Sequence, residues 1–449
     1  MNRLVDSASR RPRKRVSLGL AAVGFVLFVL VFFPGYVSFD VVNQLEQGRT
    51  GSFTNVSPPA NALLLGAAFA MSESTAPLFL LNSILLFTSA AWILVILRPK
   101  IGHAFLVLAA VPLLPILPHL WTDVHLTAVL SMATALILYA SQAGHQRRRR
   151  RAWLAAFFLL CWATWVRHNA IIAVLPLALL PIAQMLVIER KPRKNTVALL
   201  MAVAAVVALI LIRSASSWLV DRPVSVWAVT PMWDLQTLSI HADEVLLPDG
   251  FVGPGMSTDE LQQAFSPNTA VPLFTNTRSG VLNPTLELLG PAKRQRLLEA
   301  WLHAVRGSPL AWMEHRWTVF HRLFGPHTRD DLVYMVDSPR FLEPDIRSPW
   351  RAELHAVVRL PLEWARDLGL FAPWPGFVIA LGVFMVGRRQ GPGVSAALQV
   401  ALLASATLYV ATLLPLTPSA EQRYLLWPLL AVIMAAALAL GKPLQAPEE

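Results

Sequence analysis

The chain has 449 residues, of which 55% are hydrophobic and 14% are charged, and its mean hydropathy is +0.52. Soluble domains carry about a quarter charged residues, so this composition excludes an ordinary soluble protein and indicates a chain surrounded mostly by lipid. The formal net charge of +11 lies in short basic runs beside apolar segments, which is typical of membrane orientation and argues against nucleic acid as a partner.

Apolar runs of a length suited to crossing a bilayer occur about ten times along the chain. They cover residues 16–33, 76–97, 101–117, 124–141, 152–166, 170–188, 196–220, 370–386, 394–414 and 424–440. This pattern predicts an all-α polytopic membrane protein. The first run follows basic residues without a small-residue cleavage site, so it is predicted to be a retained signal anchor.

Basic clusters occupy alternate connections between these runs, which predicts that those connections face the cytoplasm. The clusters lie at 10–15, 98–100, 147–151, 190–194 and 388–389. This orientation gives cytoplasmic tails at 1–15 and 441–449 and membrane modules at 16–220 and 370–440. The first outer loop is then 34–75, where residues 60–71 are apolar but too short to span and are predicted to be a juxtamembrane or re-entrant segment.

A long polar piece at 221–369 separates the two membrane modules and is predicted to face outward. At roughly 150 residues it is too long for a plain connection, so we expect a small domain of mixed secondary structure resting on the membrane. Stretches 296–305, 312–324 and 350–368 combine apolar and basic residues at helical spacing. They are typical of helices lying in the interface and equally of helices covering the domain's own core.

Polar groups collect at the predicted outer ends of the apolar runs. They are Asp40, Glu46, Asp123, Arg167, His168, Asn169, Glu421, Arg423 and Tyr424. A carboxylate at the boundary between water and lipid has a tunable basicity and is reachable by a lipid-borne substrate, so Asp40 is the predicted catalytic residue. The alternative is that Asp40 is an ordinary polar residue ending a helix.

Two arginines in this set occupy positions where a positive charge is unexpected. Arg167 interrupts an otherwise continuous apolar segment, where its guanidinium could hold a lipid phosphate or could instead mark a hairpin turn and reach water. Arg423 lies on the predicted outer side, against the bias of positive charge toward the cytoplasm. An arginine that opposes this bias indicates a functional role, and the alternative is a salt bridge with Glu421.

Two further carboxylates could support Asp40. Asp123 lies in a short turn before the fourth run and could face Asp40, either to share a divalent cation through oxygen ligands or to hold an acceptor by hydrogen bonds. Glu46 follows Asp40 in the same loop and is a second such candidate. The spacing contains no metal-binding pattern, so the need for Mg²⁺ or Mn²⁺ stays open.

Several short elements resemble the GT-C superfamily, the polytopic glycosyltransferases that use polyprenyl-phosphate-linked sugars and include protein mannosyltransferases and lipid A aminoarabinose transferases. The matching elements are Asp40 in SFDVVNQ, Pro58 and Pro59 in SPPANALLL, Asp123 in LWTD, Arg167 and Asn169 in VRHNA, and Glu421, Arg423 and Tyr424 in AEQRYLLWP. The chain departs from the family pattern in two places. Val41 and Val42 follow Asp40 where a second acid is frequent, and Ser57 precedes Pro58 where histidine is common.

The resemblance implies a GT-C-like fold and transfer of a sugar from a polyprenyl phosphate to a hydroxyl of a cell-envelope glycan, lipid or protein. The reaction would occur at the outer face of a bacterial cytoplasmic membrane and would invert the anomeric centre. Asp40 would be the general base and Arg167 and Arg423 would bind the donor phosphate, with Asn169, His168, Glu421 and Tyr424 in support. The alternatives are a polysaccharide polymerase or ligase that uses a lipid-pyrophosphate-linked glycan, and a lipid or solute transporter, although no inverted repeat is visible.

Overall fold

A computed structural model describes residues 18–97, 102–181, 192–326, 349–389 and 396–441. Helices make up nearly all regular structure in this part of the chain, and the protein is an all-α membrane protein. Within the described ranges, five helical segments are long and apolar enough to cross a membrane: Ala76–Leu97, Thr122–Gln142, Leu200–Leu219, Ala396–Leu416 and Gln422–Leu440. The predicted basic clusters at 10–15 and 98–100 lie outside the described residues, as do nearly all of the two tails.

The first membrane module contains nine helices among the described residues. They are α1 (Leu18–Phe32), α2 (Phe39–Thr50), α3 (Ala60–Ser72), α4 (Ala76–Leu97), α5 (Gly102–Ala109), α6 (Thr122–Gln142), α7 (Gln146–Val166), α8 (Ala170–Ala178) and α9 (Pro192–Ala215). Two short strands, β1 (Phe53–Thr54) and β2 (Val220–Arg222), pair in parallel and join the first loop to the segment after α9.

The segment after β2 forms a domain that we call the central domain, residues 221–326. It is built from α10 (Val229–Ala242), α11 (Thr258–Gln263), α12 (Val271–Thr275), α13 (Pro291–Gly307) and α14 (Pro309–Phe324). Its described part is therefore helical with irregular connections, whereas the sequence predicts mixed structure. The last helices are α15 (Pro349–Asp367), α16 (Pro373–Arg389), α17 (Ala396–Leu416) and α18 (Leu426–Leu440).

Two helices form the centre of the membrane part. Of the 18 most apolar consecutive residues of the α6 segment, 83% are buried inside the protein, and for the segment that ends in α18 the share is 89%. The corresponding share for the segment that contains the end of α9 is only 11%. Helix α6 packs against α4 and α7, and α18 packs against α16 and α17. Side chains at the N-terminal ends of α6 and α18 therefore have rigid, well-packed supports.

The first outer loop is more ordered than the sequence indicates, because it forms a helical hairpin of α2 and α3. Asp40 lies in the first turn of α2, where the positive end of the helix dipole favours a carboxylate. The two helices pack through two glycines, and a Cβ added at Gly48 would lie 2.8 Å from the backbone nitrogen of Gly66. The predicted re-entrant segment is thus the partner helix that fixes α2.

Gly48→Ala is expected to separate α2 from α3 and to lower the free energy of unfolding by about 1–3 kcal/mol, because the backbones cannot approach closely around a methyl group. Thermal unfolding in detergent measures the change. Gly382→Ala is the matched control, since Gly382 is also helical but has no neighbour within 4 Å of an added Cβ. Equal thermal stability of the two variants would contradict this packing role.

The central domain has a hydrophobic core of its own. Leu297 and Ala304 of α13 are buried in it together with Met232 and Leu235 of α10. Trp312 of α14 packs against the same core. The inward faces of α13 and α14 therefore cover the domain's own core, which is one of the two arrangements that their sequences predict.

Candidate functional site

Four distant segments bring their predicted polar residues together. Asp40 is in the first turn of α2, Asp123 is in the first turn of α6, Arg167 directly follows α7, and Arg423 lies in the 3₁₀ turn before α18. With Glu421, these residues form a group of ion pairs that we call the acid–arginine cluster. Its two helical carboxylates both lie at helix N-termini, which stabilise negative charge.

Arg423 is the centre of the cluster. Its Nη1 donates a hydrogen bond to Asp40 Oδ2 at 2.7 Å, and its Nε forms an ion pair with Glu421 and lies 3.9 Å from Asp123 Oδ2. The side chain of Asp40 is 47% exposed, whereas that of Asp123 is 3% exposed. The cluster therefore extends from a solvent-accessible carboxylate through Arg423 to a buried one.

Arg167 holds the buried end of the cluster. Its Nη1 is paired with Asp123 Oδ2 and lies 3.5 Å from Thr122 Oγ1. Its guanidinium also sits over the Tyr424 ring, 4.5 Å from the ring centroid. The Tyr424 hydroxyl lies 2.9 Å from Ser419 Oγ, so the aromatic ring that supports Arg167 is itself fixed.

The turn before α6 is attached to α2. Trp121 Nε1 donates to Ser38 Oγ at 2.7 Å, and the Trp121 ring lies under the guanidinium of Arg423, with its centroid at 4.8 Å. The Asn61 amide of α3 donates both to Gln44 Oε1 of α2 and to the Leu120 carbonyl. These contacts determine where Asp40 lies relative to Asp123.

The cluster contains three carboxylates and two guanidinium groups. The guanidinium groups lie between the carboxylates, which consequently contact arginines. Among the described residues, no group of three or more His, Cys, Asp or Glu side chains is arranged to hold a metal ion. The donor set as it stands does not favour the divalent cation that the sequence leaves open, because an arginine contacts one oxygen of each of the three carboxylates.

Two of the predicted supporting residues lie away from the cluster. Glu46 is exposed on α2, six residues after Asp40, which turns it about 120° away around the helix axis. Within the described chain, no ion pair connects it to Arg167 or Arg423. His168 contacts the Asn55 carbonyl through Nε2 at 3.0 Å and Arg213 Nη2 through Nδ1 at 2.7 Å. Because Arg213 can only donate, His168 Nδ1 accepts and the imidazole is neutral.

The remaining supporting residues lie in the cluster or next to it, and Tyr424 supports Arg167 as described above. Asn169 occupies the N-cap position of α8, two residues after Arg167, and its side chain makes no capping hydrogen bond. Glu421 forms a salt bridge with Arg423, as the alternative interpretation of Arg423 predicts. Glu421 also accepts a hydrogen bond from Ser419 Oγ at 2.9 Å. Arg423 nevertheless makes more contacts than a simple surface pair, because it also binds Asp40.

A second group of charges, which sequence reasoning does not place, lies in the central domain. Asp234 of α10 and Arg316 of α14 form an ion pair whose side chains are fully buried. The indole nitrogens of Trp301 and Trp312 donate to Asp234 Oδ2 at 2.9 and 3.0 Å. Burial, with Arg316 beside it, lowers the pKa of His315 to about 3, so His315 is neutral at pH 7 and Arg316 is the cationic partner of Asp234.

Arg316 connects this buried pair to the loop that carries Glu421 and Arg423. Its Nη1 donates to the Thr417 carbonyl at 2.8 Å, and its Nη2 donates to the Thr230 carbonyl at 3.1 Å. The same loop pairs with the central domain through Ala420 N and the Asn268 carbonyl at 2.7 Å. The central domain therefore positions the loop of residues 416–423.

No protein-family model matches the chain, and neither a curated protein nor a solved structure shows significant similarity to it.

Proposed function

We propose that this protein is a membrane glycosyltransferase of GT-C type that moves a sugar from a polyprenyl-phosphate donor to an acceptor hydroxyl. The observation that carries the proposal is the contact of Arg423 with Asp40, beside the pair of Arg167 and Asp123. It puts a half-exposed carboxylate next to two cationic groups at the ends of membrane helices. A general base and a phosphate-binding group are the parts that this transfer requires.

In this proposal the guanidinium groups hold the phosphate of the donor while its isoprenoid tail lies among the membrane helices. Arginine suits this role because its planar N–H groups match phosphate oxygens. Neutralising the phosphate makes it a better leaving group as the bond to the anomeric carbon breaks. Both arginine side chains are mostly buried, Arg167 at 19% exposed and Arg423 at 13%, and Arg423 is the one that contacts the half-exposed Asp40.

Asp40 acts as the general base. As the acceptor oxygen forms its bond to the anomeric carbon, its proton passes to the Asp40 carboxylate, and the phosphate leaves with the electron pair of the broken C–O bond. Attack opposite the leaving group inverts the anomeric configuration. Asp40 is reachable for this step because its side chain is half exposed.

The donor phosphate and Asp40 compete for Arg423. Asp40 Oδ2 accepts a hydrogen bond from Arg423 Nη1. A phosphate that takes the N–H groups of Arg423 would release this carboxylate, which could then accept a hydrogen bond from the acceptor hydroxyl. Donor binding would thus free the base for the transfer step.

The proposal also includes the finer topology. About ten spans, both termini in the cytoplasm and the cluster on the outer face agree with the basic clusters along the sequence. The acceptor would be a glycan, lipid or protein of the cell envelope, delivered to the side on which the central domain lies.

The direct test uses the purified full chain in liposomes with a radiolabelled sugar on polyprenyl phosphate. Mass spectrometry of envelope glycans and polyprenyl phosphates from cells with and without the protein identifies the donor and acceptor to supply. We expect covalent transfer of label together with release of polyprenyl phosphate. Counterflow of the labelled lipid without a covalent product would overturn the proposal in favour of a transporter.

Arg423→Lys is expected to weaken binding of polyprenyl phosphate about tenfold, because lysine keeps the charge but loses the planar array of N–H donors. Titration of the reconstituted protein with the lipid measures the affinity. Arg213→Lys is the matched control, because Arg213 contacts His168 and Ser216 and lies outside the cluster. Equal affinities for the two variants would remove Arg423 from phosphate binding.

A further inference from the structure

Helices α14 and α15 each expose a stripe of large apolar side chains. On α14, Arg316 points inward and is 1% exposed, whereas Trp317, the next residue, is 58% exposed. Leu310 and Met313 are exposed on the same face as Trp317, at helical spacings of three and four residues. Helix α14 therefore buries Val319 and Leu323 on its inner face and exposes a second apolar stripe on its outer face.

Helix α15 repeats this arrangement. Val357, Leu360, Trp364 and Leu368 follow one another at spacings of three, four and four residues and are all exposed. Trp364 is 66% exposed, whereas the side chain of Arg366, on the opposite face, is 14% exposed. An amphipathic helix that covered its own domain would bury such a stripe, so its exposure favours apolar surroundings on this side.

The two helices adjoin a helix of the membrane module. Phe324, at the end of α14, packs against Phe377 of α16, with ring centroids 5.5 Å apart. Helix α15 leads into α16 through a tight turn in which Leu370 N donates to the Ala365 carbonyl at 2.9 Å. Trp374 and Val378 of α16 are exposed as well. Helices α14 and α15 therefore both adjoin α16, which itself exposes apolar side chains.

We propose that the apolar stripes of α14 and α15 lie in the membrane, at the boundary between headgroups and acyl chains of the leaflet next to the central domain. The partner is the lipid surface itself. Trp317 and Trp364 would occupy the zone that tryptophan prefers, with the ring body in lipid and the N–H near water. This inference goes beyond the proposed function and does not depend on it.

The charge of α15 indicates which lipids are sufficient to attach the helix to the membrane. Its sequence carries three basic residues, Arg351, Arg359 and Arg366, and three acidic ones, Glu353, Glu363 and Asp367. With no net charge, the helix gains nothing from anionic headgroups, and its attachment comes from burial of apolar area. A bilayer of zwitterionic phosphatidylcholine should therefore bind α15 as strongly as a bilayer that contains anionic lipid does.

The test places single fluorescent labels in the full chain, with one copy in each phosphatidylcholine nanodisc. Cys161→Ser removes the native cysteine, and labels are attached to Trp317→Cys, Leu360→Cys and Trp364→Cys in turn. We expect quenching by a nitroxide on the lipid to be about threefold stronger than quenching by iodide in water at these positions. Adding anionic lipid should leave the ratio unchanged.

Two reference positions calibrate the measurement. Val378→Cys on α16 should behave like the three test positions, and Asp259→Cys on α11 of the central domain should show strong quenching by iodide and little by the lipid nitroxide. Strong iodide quenching at the test positions would overturn the proposal, because the stripes would face water. Protection from both quenchers would also overturn it and would favour contact with another protein surface, including a second copy of this chain.

Discussion

Asp40→Asn is expected to lower sugar transfer by about 10²–10⁴-fold, because the variant cannot accept the proton of the attacking hydroxyl. The same substitution should tighten binding of polyprenyl phosphate about fivefold, since it removes an anion that competes with the phosphate for Arg423. A carboxylate with a purely structural role would weaken both quantities together. Opposite changes in turnover and donor affinity would therefore identify the base.

Two controls separate Asp40 from its neighbours. Glu421→Gln also removes a negative charge beside Arg423, so donor affinity should rise while most transfer activity remains. Glu46 lies on another face of α2, so Glu46→Gln should change neither sugar transfer nor donor affinity. If Asp40→Asn retained full turnover, or if Glu421→Gln lost as much activity as Asp40→Asn, the assignment of the base would be wrong.

Arg316→Met is expected to be among the most destabilising single substitutions in the chain. It leaves Asp234 buried and without its cationic partner, and breaking one partner of a buried pair costs about 3–5 kcal/mol. It also removes the donor to the Thr417 carbonyl, so the loop that carries Arg423 loses an anchor. Both thermal stability and affinity for polyprenyl phosphate should fall.

The double variant Asp234→Leu with Arg316→Met separates these two effects. With both charges absent, much of the lost stability should return, because no uncompensated buried charge remains. Donor affinity should stay low, since the Thr417 carbonyl still lacks its partner. Recovery of affinity along with stability would show that Arg316 serves only the fold of the central domain and does not position Arg423.

Much of the acid–arginine cluster could be predicted from the sequence for a physical reason. Charged residues are costly at membrane depth, so those beside apolar runs are few and occupy the ends of helices. The alternation of basic clusters then assigns each end to one side of the membrane. Asp40, Asp123, Arg167 and Arg423 were grouped in this way, and the structure brings them into contact.

The remaining features depend on tertiary packing. Glu46 is near Asp40 along the chain, but the helical rotation of α2 separates them, whereas the sequence predicts a loop at this position. Asp234 and Arg316 are 82 residues apart in a region without membrane periodicity, so no pattern connects them. A chemical signal is available for Asp234, which lies in the mostly apolar stretch PMWDLQ, where an unpaired charge would be unfavourable, whereas Arg316 has polar neighbours along the chain and gives no comparable signal.

The bond between Arg423 and Asp40 also constrains how the protein is made. The two residues are 383 positions apart, so the ribosome has delivered α1 to α17 to the membrane before Arg423 emerges. Until then Asp40 has no cationic partner from that loop, and the buried Asp123 depends on Arg167 alone. The cluster can therefore be completed only after synthesis has passed Arg423, and chains inserted only as far as α17 lack the arrangement on which catalysis would depend.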